Sequence, residues 1–383
     1  MDETLSVQGF SRDDTVIRIF RLSAPAAVFA ALFLISLASA RAAGNVSAND
    51  TARFLAGLKP SPSSPLAKLT RAGGWIHHAR TMDAAWKRLQ KNQLNPIRAW
   101  SKKNIPGTRK QMLYMFSGPD FLYANAFFPD AETYVLSALE PVGPMPNMLR
   151  YSPGARAGAL YELRGSMQTV LSYSFFITKQ MKSDMREGNM RGTLPVLFVF
   201  LARAGNTINA VEFITLTPDG LAVPRGKPGA RTGSPGVRIA FTGSGGKLRN
   251  LYYFQTDLSN GGLKRSGLRA FSQALGPADS LIKSASYLLH SGNFTLSRDF
   301  LLKNSRIIVQ DDSGIPLRFF ARDKWELHPF GKYLGPIDIF PKRYQNGMKA
   351  LFARGRAKPI KFGIGYRWRT HETNVLLGVR KTP

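Results

Sequence analysis

Residues 111–140 read QMLYMFSGPDFLYANAFFPDAETYVLSALE, and this stretch decides the fold. Gln111 to Phe116 is an apolar run of strand length, Ser117-Gly118-Pro119-Asp120 is a turn, and Phe121 to Phe128 has the length and composition of a short helix ended by Pro129-Asp130. Thr133 to Leu139 is a second apolar run, closed by Glu140 and the breaker Pro141-Val142-Gly143-Pro144. Strand, tight turn, helix and strand within about thirty residues spell a parallel βαβ unit. Neither run alternates apolar with polar residues, as expected of strands buried on both faces.

Outward from this unit the pattern continues in the same vein. Upstream, Trp86, Leu89, Leu94, Ile97 and Trp100 recur at helical spacing between Met82 and Trp100, with Lys and Arg between them, which predicts an amphipathic helix or helix pair broken near Asn95-Pro96. Downstream, a long helix is expected over Ala159 to Met185, then a second apolar segment from Leu194 to Ala204. Strands are expected at Ala210 to Leu216, Val237 to Thr242 and Asn250 to Gln255, around a Gly/Pro/basic loop from Pro218 to Gly236. Ala278 to Leu289 and Leu296 to Lys303 read as helices, and Arg306 to Gln310 as a strand before the turn Asp311-Asp312-Ser313-Gly314. At the end, Ile360, Phe362, Ile364, Tyr366 and Trp368 share one face of an alternating run. A return strand at Val375 to Val379 makes this a hairpin. The sum is an α/β fold: a mainly parallel, Rossmann-like central sheet with helices on both faces, a C-terminal antiparallel hairpin and a helical N-terminal extension.

The first residues carry an export signature. Arg18 and Arg21 precede an apolar stretch from Ala24 to Leu37, and Ala38-Ser39-Ala40 overlaps Ala40-Arg41-Ala42 as a cleavage site. The stretch is shorter than the roughly 20 apolar residues a spanning helix needs. Cleavage, with no transmembrane segment left afterwards, is therefore expected. Met1 to Thr15 is polar with four acids, so synthesis is expected to begin at Val16. The reading divides the chain into a signal peptide at 1–43, a flexible lead-in at 44–66, a helical extension at 67–108 and an α/β domain at 109–383, in a protein that is periplasmic or extracellular.

Composition limits the chemistry. The chain has 53 Lys and Arg against 24 Asp and Glu, a net charge of +29, and no cysteine. Removing the first forty residues takes three basic and four acidic residues and leaves +30. Without cysteine there is neither a thiolate nucleophile nor a Cys-type zinc site, and stability comes from packing. The charge favours anionic partners, envelope polymers above all. Its basic residues are spread among aromatic and aliphatic ones, from Leu221 to Ala270 and from Pro341 to Pro383, and no specific nucleic-acid motif accompanies them. The histidines, His77, His78, His290, His328 and His371, form no ligand pair at helical spacing, so no metal site is expected. Gly243 to Gly246 reads as a hairpin turn and not as a nucleophile elbow.

Six residues form the candidate ligand site. Ser117, Gly118 and Asp120 occupy the turn after the first strand, Glu140 ends the second, and Asp311 and Asp312 follow a later one. In open α/β sheets such strand ends converge on one crevice. Acids meeting there serve as acid/base pairs or as ligands of a hard cation, and their mutual repulsion raises at least one pKa. Two alternatives stand beside this: Asp120 caps the following helix, and Asp311-Asp312-Ser313-Gly314 is only a turn. With Gly118 and Glu140 about twenty residues apart, the unit resembles the nucleotide-binding half of Rossmann-type folds, including S-adenosylmethionine-dependent methyltransferases, whose sheet also closes with an antiparallel hairpin. The resemblance implies an acid that holds ribose hydroxyls. The sequence departs from it at the turn, where Pro119 and Asp120 stand in place of further glycines. The segments FSGPDFLYAN (116–125), FPDAETYVLSALEPVG (128–143) and IIVQDDSGIPLRFF (307–320) also resemble an uncharacterised group of exported bacterial proteins. No cofactor and no catalytic residue is assigned. Three functions stay open: a non-catalytic or repurposed Rossmann-like envelope protein, a transferase or hydrolase using these carboxylates, and a binder of anionic polymers or nucleic acid.

Overall fold

The computed structural model describes residues 46–107, 109–173, 190–227, 232–243, 245–353 and 357–381, so the expected signal peptide and the start at Val16 lie outside them. Helix α1 (Ala48–Leu55) opens at Ser47, whose hydroxyl accepts the Asp50 N–H at 3.0 Å. The segment expected as a flexible lead-in is thus folded from its third residue on. Burial explains it: Phe54 and Leu55 are fully enclosed, and Asp50 fixes the next loop by accepting the Ser61 N–H at 2.7 Å and hydroxyl at 2.8 Å. Helix α2 (Gly73–Leu89), a π-helical turn at Gln90–Leu94 and helix α3 (Asn95–Asn104) follow. Trp86, Leu89, Leu94, Ile97 and Trp100 are buried, in the same core as sheet residues. Residues 67–107 therefore belong to the same compact unit as the sheet.

Strand β1 (Gln111–Met115), helix α4 (Phe121–Phe127) and strand β2 (Thr133–Ala138) come next, in the order the sequence predicts. Helices α5 (Pro153–Tyr173) and α6 (Leu194–Arg203) lead to β3 (Thr207–Leu216), β4 (Ala222–Pro224), β5 (Ser234–Thr242) and β6 (Leu248–Gln255). The second half holds α7 (Asn260–Arg265), α8 (Leu268–Ala274), β7 (Ala278–Ile282), α9 (Thr295–Asn304), β8 (Ser305–Gln310), β9 (Trp325–Gly331), α10 (Asn346–Ala353) and β10 (Asn374–Arg380). Among the described residues the strands form one mixed sheet in the order β4-β3-β5-β6-β2-β1-β7-β8-β10-β9.

Five neighbours, β6, β2, β1, β7 and β8, run parallel, with Leu113 beside Val135 on one side and Ser280 on the other. β10 runs antiparallel between β8 and β9, and β3, β4 and β5 extend the other edge antiparallel. The missing alternation in β1 and β2 has the expected cause. Met112, Tyr114, Tyr134 and Leu136 enter one core with the helices up to α6, while Leu113, Met115 and Val135 enter a second core with Leu263, Phe271 and Leu301 of α7, α8 and α9. Helices therefore cover both faces, and full burial of each such side chain is worth about 1.5–3 kcal/mol.

Three expected elements differ. Ala278 to Leu289, read as a helix, begins as β7: a strand buried on both faces places apolar residues at spacings that mimic a helix. The strand expected from Ile360 to Trp368 is an irregular loop. Gly365 turns it with φ +67°, and a side chain at Gly363 would collide with the Trp368 carbonyl. The closing partner of β10 is instead β9, which carries Pro329 and was not anticipated. Helix α5 begins six residues before its expected start, and the expected portion beyond Tyr173 lies outside the described residues.

Candidate functional site

Strand β1 stops abruptly. Phe116 and Gly118 both have left-handed backbones, φ 63° and 54°, which folds 116–120 into a tight turn over the strand's carboxyl end. Several N–H groups of the turn have acceptors. The Ser117 N–H donates to the Ser137 carbonyl at 3.2 Å, Asp120 N–H to the Ser117 carbonyl at 3.3 Å, and Phe121 N–H to the Pro119 carbonyl at 2.8 Å. The Ser117 hydroxyl donates to the Gly118 carbonyl at 2.8 Å.

Asp120 is 1% exposed. One carboxylate oxygen caps α4 by accepting the Tyr123 N–H at 3.1 Å. The other accepts the Tyr114 hydroxyl at 3.1 Å and pairs with the Lys283 ammonium at 2.8 Å. Lys283 leaves the carboxyl end of β7 and its Nζ stands 4.0 Å over the Tyr123 ring. Burial pushes the Asp120 carboxyl above its ordinary value, and the Lys283 charge opposes that rise. The capping alternative for Asp120 is the one the geometry supports; it is a buried structural acid and not an exposed turn residue.

A cleft of about 290 Å³ opens at this edge. Ser117, Gly118 and Asp120 line it from β1, Glu140 from β2, Asp257 from β6, and Lys283 from β7. Glu140 is buried and its neighbour Leu139 is exposed. Asp257 is exposed and accepts the Ser259 N–H and hydroxyl, each at 2.9 Å. The lining thus carries three carboxylates and one ammonium, an acidic recess in a chain of net charge +29.

Asp311 and Asp312 do not line the cleft; they hold up its wall. Beyond β7, Ser284, Ser286 and Tyr287 all have left-handed backbones, φ 53°, 50° and 52°, each costing on the order of 1–3 kcal/mol for a non-glycine residue. Asp311 accepts the Ser284 N–H at 3.1 Å, Ser313 Oγ accepts the Ala285 N–H at 2.8 Å, and the Tyr366 hydroxyl donates to the Ser284 carbonyl at 3.0 Å. Asp312 accepts the Tyr287 hydroxyl at 2.7 Å and an Asn374 amide N–H at 3.2 Å. Desolvation, then the Asp312 charge, pushes the Asp311 carboxyl up to about 7, and burial raises Asp312 too. Desolvation, and not repulsion between acids from different strand ends, is the leading cause of both shifts, and neither residue lines the cleft.

Four of the six predicted residues, Ser117, Gly118, Asp120 and Glu140, meet in the cleft. Lys283, the strained Ser284–Tyr287 segment and Asp257 were missed, the first two because they were assigned to a helix. The only sequence signal for them is the serine-rich Lys283-Ser284-Ala285-Ser286, whose serines favour turns over helix interiors. Among the described residues no group of three or more His, Asp or Glu is placed to hold a metal ion, and no helix is long and apolar enough to cross a membrane. Comparison with protein-family models, with curated proteins and with solved structures finds no match.

Proposed function

We propose that this chain is an exported envelope protein on a repurposed Rossmann-like scaffold, and that its cleft takes a small, neutral or cationic, polyhydroxylated ligand of the nucleoside or S-adenosylmethionine class. One observation carries the reading: the cleft opens where the order of strand addition reverses. Counted along the chain, the parallel strands β1, β2, β6, β7 and β8 stand in the order 3-2-1-4-5, that of Rossmann-type sheets, which bind ligands outside the carboxyl ends at this reversal. The antiparallel β10 and β9 correspond to the closing pair of the methyltransferase-like variety. Glu140 ends the second strand, where an acid accepts hydrogen bonds from ribose hydroxyls.

The electrostatics narrow the ligand. A phosphate needs open N–H groups at the turn and helix start, and four of these, those of Ser117, Asp120, Phe121 and Tyr123, already have acceptors. Lys283 offsets Asp120, and the other two carboxylates of the lining, Glu140 and Asp257, repel it further. A sulfonium or an uncharged nucleoside suffers neither penalty. The cleft volume, at the lower edge of the roughly 300–1,000 Å³ usual for ligand sites, fits one nucleoside and not a dinucleotide. A transferase on the same cleft is the second reading, favoured by the strained Ser284–Tyr287 wall, since such strain gathers at active sites; recovery of bound S-adenosylmethionine unchanged in the presence of cell-envelope extract would exclude it.

Calorimetric titration tests the binding. Adenosine and S-adenosylmethionine bind, ATP binds far more weakly, and Glu140→Gln lowers adenosine affinity by about tenfold or more, the worth of one hydrogen bond to a charged group. ATP binding as tight as adenosine, or an unaffected Glu140→Gln, would contradict the reading. Export rests on the signature at 18–42 and on the resemblance of 116–125, 128–143 and 307–320 to exported proteins. A fusion of residues 16–43 to a reporter active only outside the cytoplasm is active if the reading holds, and retention inside ends it.

A further inference from the structure

A second recess, of about 770 Å³, lies away from the carboxyl-edge cleft, where the end of α2 and the π-helical turn Gln90–Leu94 face the loop 361–371 and the last residues of α5. Arg88, Lys91, Lys361, Arg369 and His371 line it together with Trp368, and the Arg369 guanidinium stands 4.8 Å over the Trp368 ring. No carboxylate is among the described lining residues. Glu372, just outside, lies 3.4 Å from Arg369 and 3.3 Å from His371, while Arg88, Lys91 and Lys361 form no ion pair among the described residues.

Like charges brought together from separate segments repel one another, and nothing in the packing of the fold requires these to converge. Arg88, Lys91 and Lys361 are exposed, so their side chains cover no core. The two walls are nonetheless tied: Gln93 Oε1 accepts the Gly363 N–H at 3.0 Å, and the Tyr173 ring stands 5.0 Å from Trp368. The irregular turn is itself informative, because single π-helical turns inside helices are frequently found at functional sites. Here Lys91, Asn92 and Gln93 of the turn line the recess together with Lys361. Arg groups present paired N–H donors matched to phosphate oxygens, and Lys adds point charges.

We propose that this recess binds an anion carrying clustered phosphate groups. It is chemically the opposite of the acidic carboxyl-edge cleft, and it gives the net charge of +29 a defined place to act. Such phosphates come from a soluble polyphosphate or from lipid headgroups at a membrane surface.

The probe is inorganic triphosphate, titrated calorimetrically into the full chain. One site is expected, weakening by about tenfold or more between about 50 mM and about 200 mM salt as counterions are released. Arg88→Gln combined with Lys361→Gln is expected to lower affinity by about tenfold or more, since two charge-assisted contacts are lost. Lys227→Gln with Lys324→Gln, which removes the same charge from exposed positions elsewhere, leaves affinity unchanged, as does Glu140→Gln. In a second arm, vesicles of phosphatidylcholine with phosphatidic acid compete. Vesicle binding that exceeds triphosphate binding and is lost in the Arg88/Lys361 variant assigns the site to lipid headgroups; triphosphate binding alone assigns it to a soluble ligand. Equal losses in both double variants, or no triphosphate binding at low salt, would overturn the proposal.

Discussion

Lys283→Met is expected to cost about 3–5 kcal/mol of folding stability at neutral pH, because it leaves the Asp120 carboxylate buried without its counter-charge. Both side chains are almost wholly enclosed, at 2% and 1% exposure, so water cannot replace the ammonium. The loss is smaller in acid, where Asp120 takes up a proton and no charge stays buried. Adding Asp120→Asn recovers most of the loss, since the amide oxygen still caps α4 at the Tyr123 N–H and no uncompensated charge remains. Urea unfolding of the two variants at two pH values is the measurement. A single variant within about 1 kcal/mol of the parent, an ordinary surface effect, would show that the pair is not the enclosed bond described. So would a double variant as unstable as the single one.

The second large effect is acid sensitivity centred on His78. This residue is fully buried between α1, α2 and α5, with Nε2 2.8 Å from the Leu55 carbonyl and Nδ1 2.9 Å from the Arg164 guanidinium. Arg164 can only donate, so Nδ1 must accept and Nε2–H must donate; the ring is neutral. Burial is the main cause that lowers its pKa from 6.5 to about 4, with Arg164 adding to it. The unfolded chain therefore binds a proton that the folded chain refuses. The stability tied to this ring is full above pH 6.5 and falls as pH drops towards 4, by about 3 kcal/mol at the lower limit.

Asp311 works in the opposite sense over nearly the same window. Its carboxyl is raised from 3.8 to about 7, so its contribution is greatest below the unfolded value and is lost as pH rises through 7. The two shifts oppose each other, and His290, which burial also lowers to about 4, acts in the same sense as His78, so the parent's own curve isolates neither. The informative quantity is the difference between variants. His78→Gln should lose less stability than the parent on going from pH 7 to pH 4, and Asp311→Asn should lose more. Parallel curves for all three proteins would remove both assignments.

How much of this was legible in the sequence depends on where the determining contacts lie. The β1–α4–β2 unit was legible because its signals are local: two apolar runs, a Gly-Pro turn and an Asp at the helix cap within thirty residues. From it followed the clustering of Ser117, Gly118, Asp120 and Glu140. Strand β7 was not legible, since Ala278, Leu281 and Ile282 are buried by neighbours on both faces and share their spacing with a helix. With it went Lys283, whose role exists only because β7 lies beside β1, some 165 residues earlier in the chain. The apparent strand at 360–368 failed for a related reason. Its alternation is real, but Gly363 and Gly365 let the backbone coil against the Trp368 carbonyl and the Asp311 side chain, contacts invisible in the one-dimensional pattern. Nor did the polar composition of 45–64 reveal that Phe54 and Leu55 would find a core.

The central claim concerns what the carboxyl-edge cleft holds, and a crystal structure of the protein grown with saturating adenosine tests it most directly. The account predicts nucleoside density between the Ser117–Gly118 turn and Leu258, with ribose hydroxyls about 2.7–3.0 Å from the Glu140 carboxylate. A cleft that stays empty at saturation would contradict it. So would a parallel crystal with ATP in which phosphate sits on the Ser117–Gly118 turn.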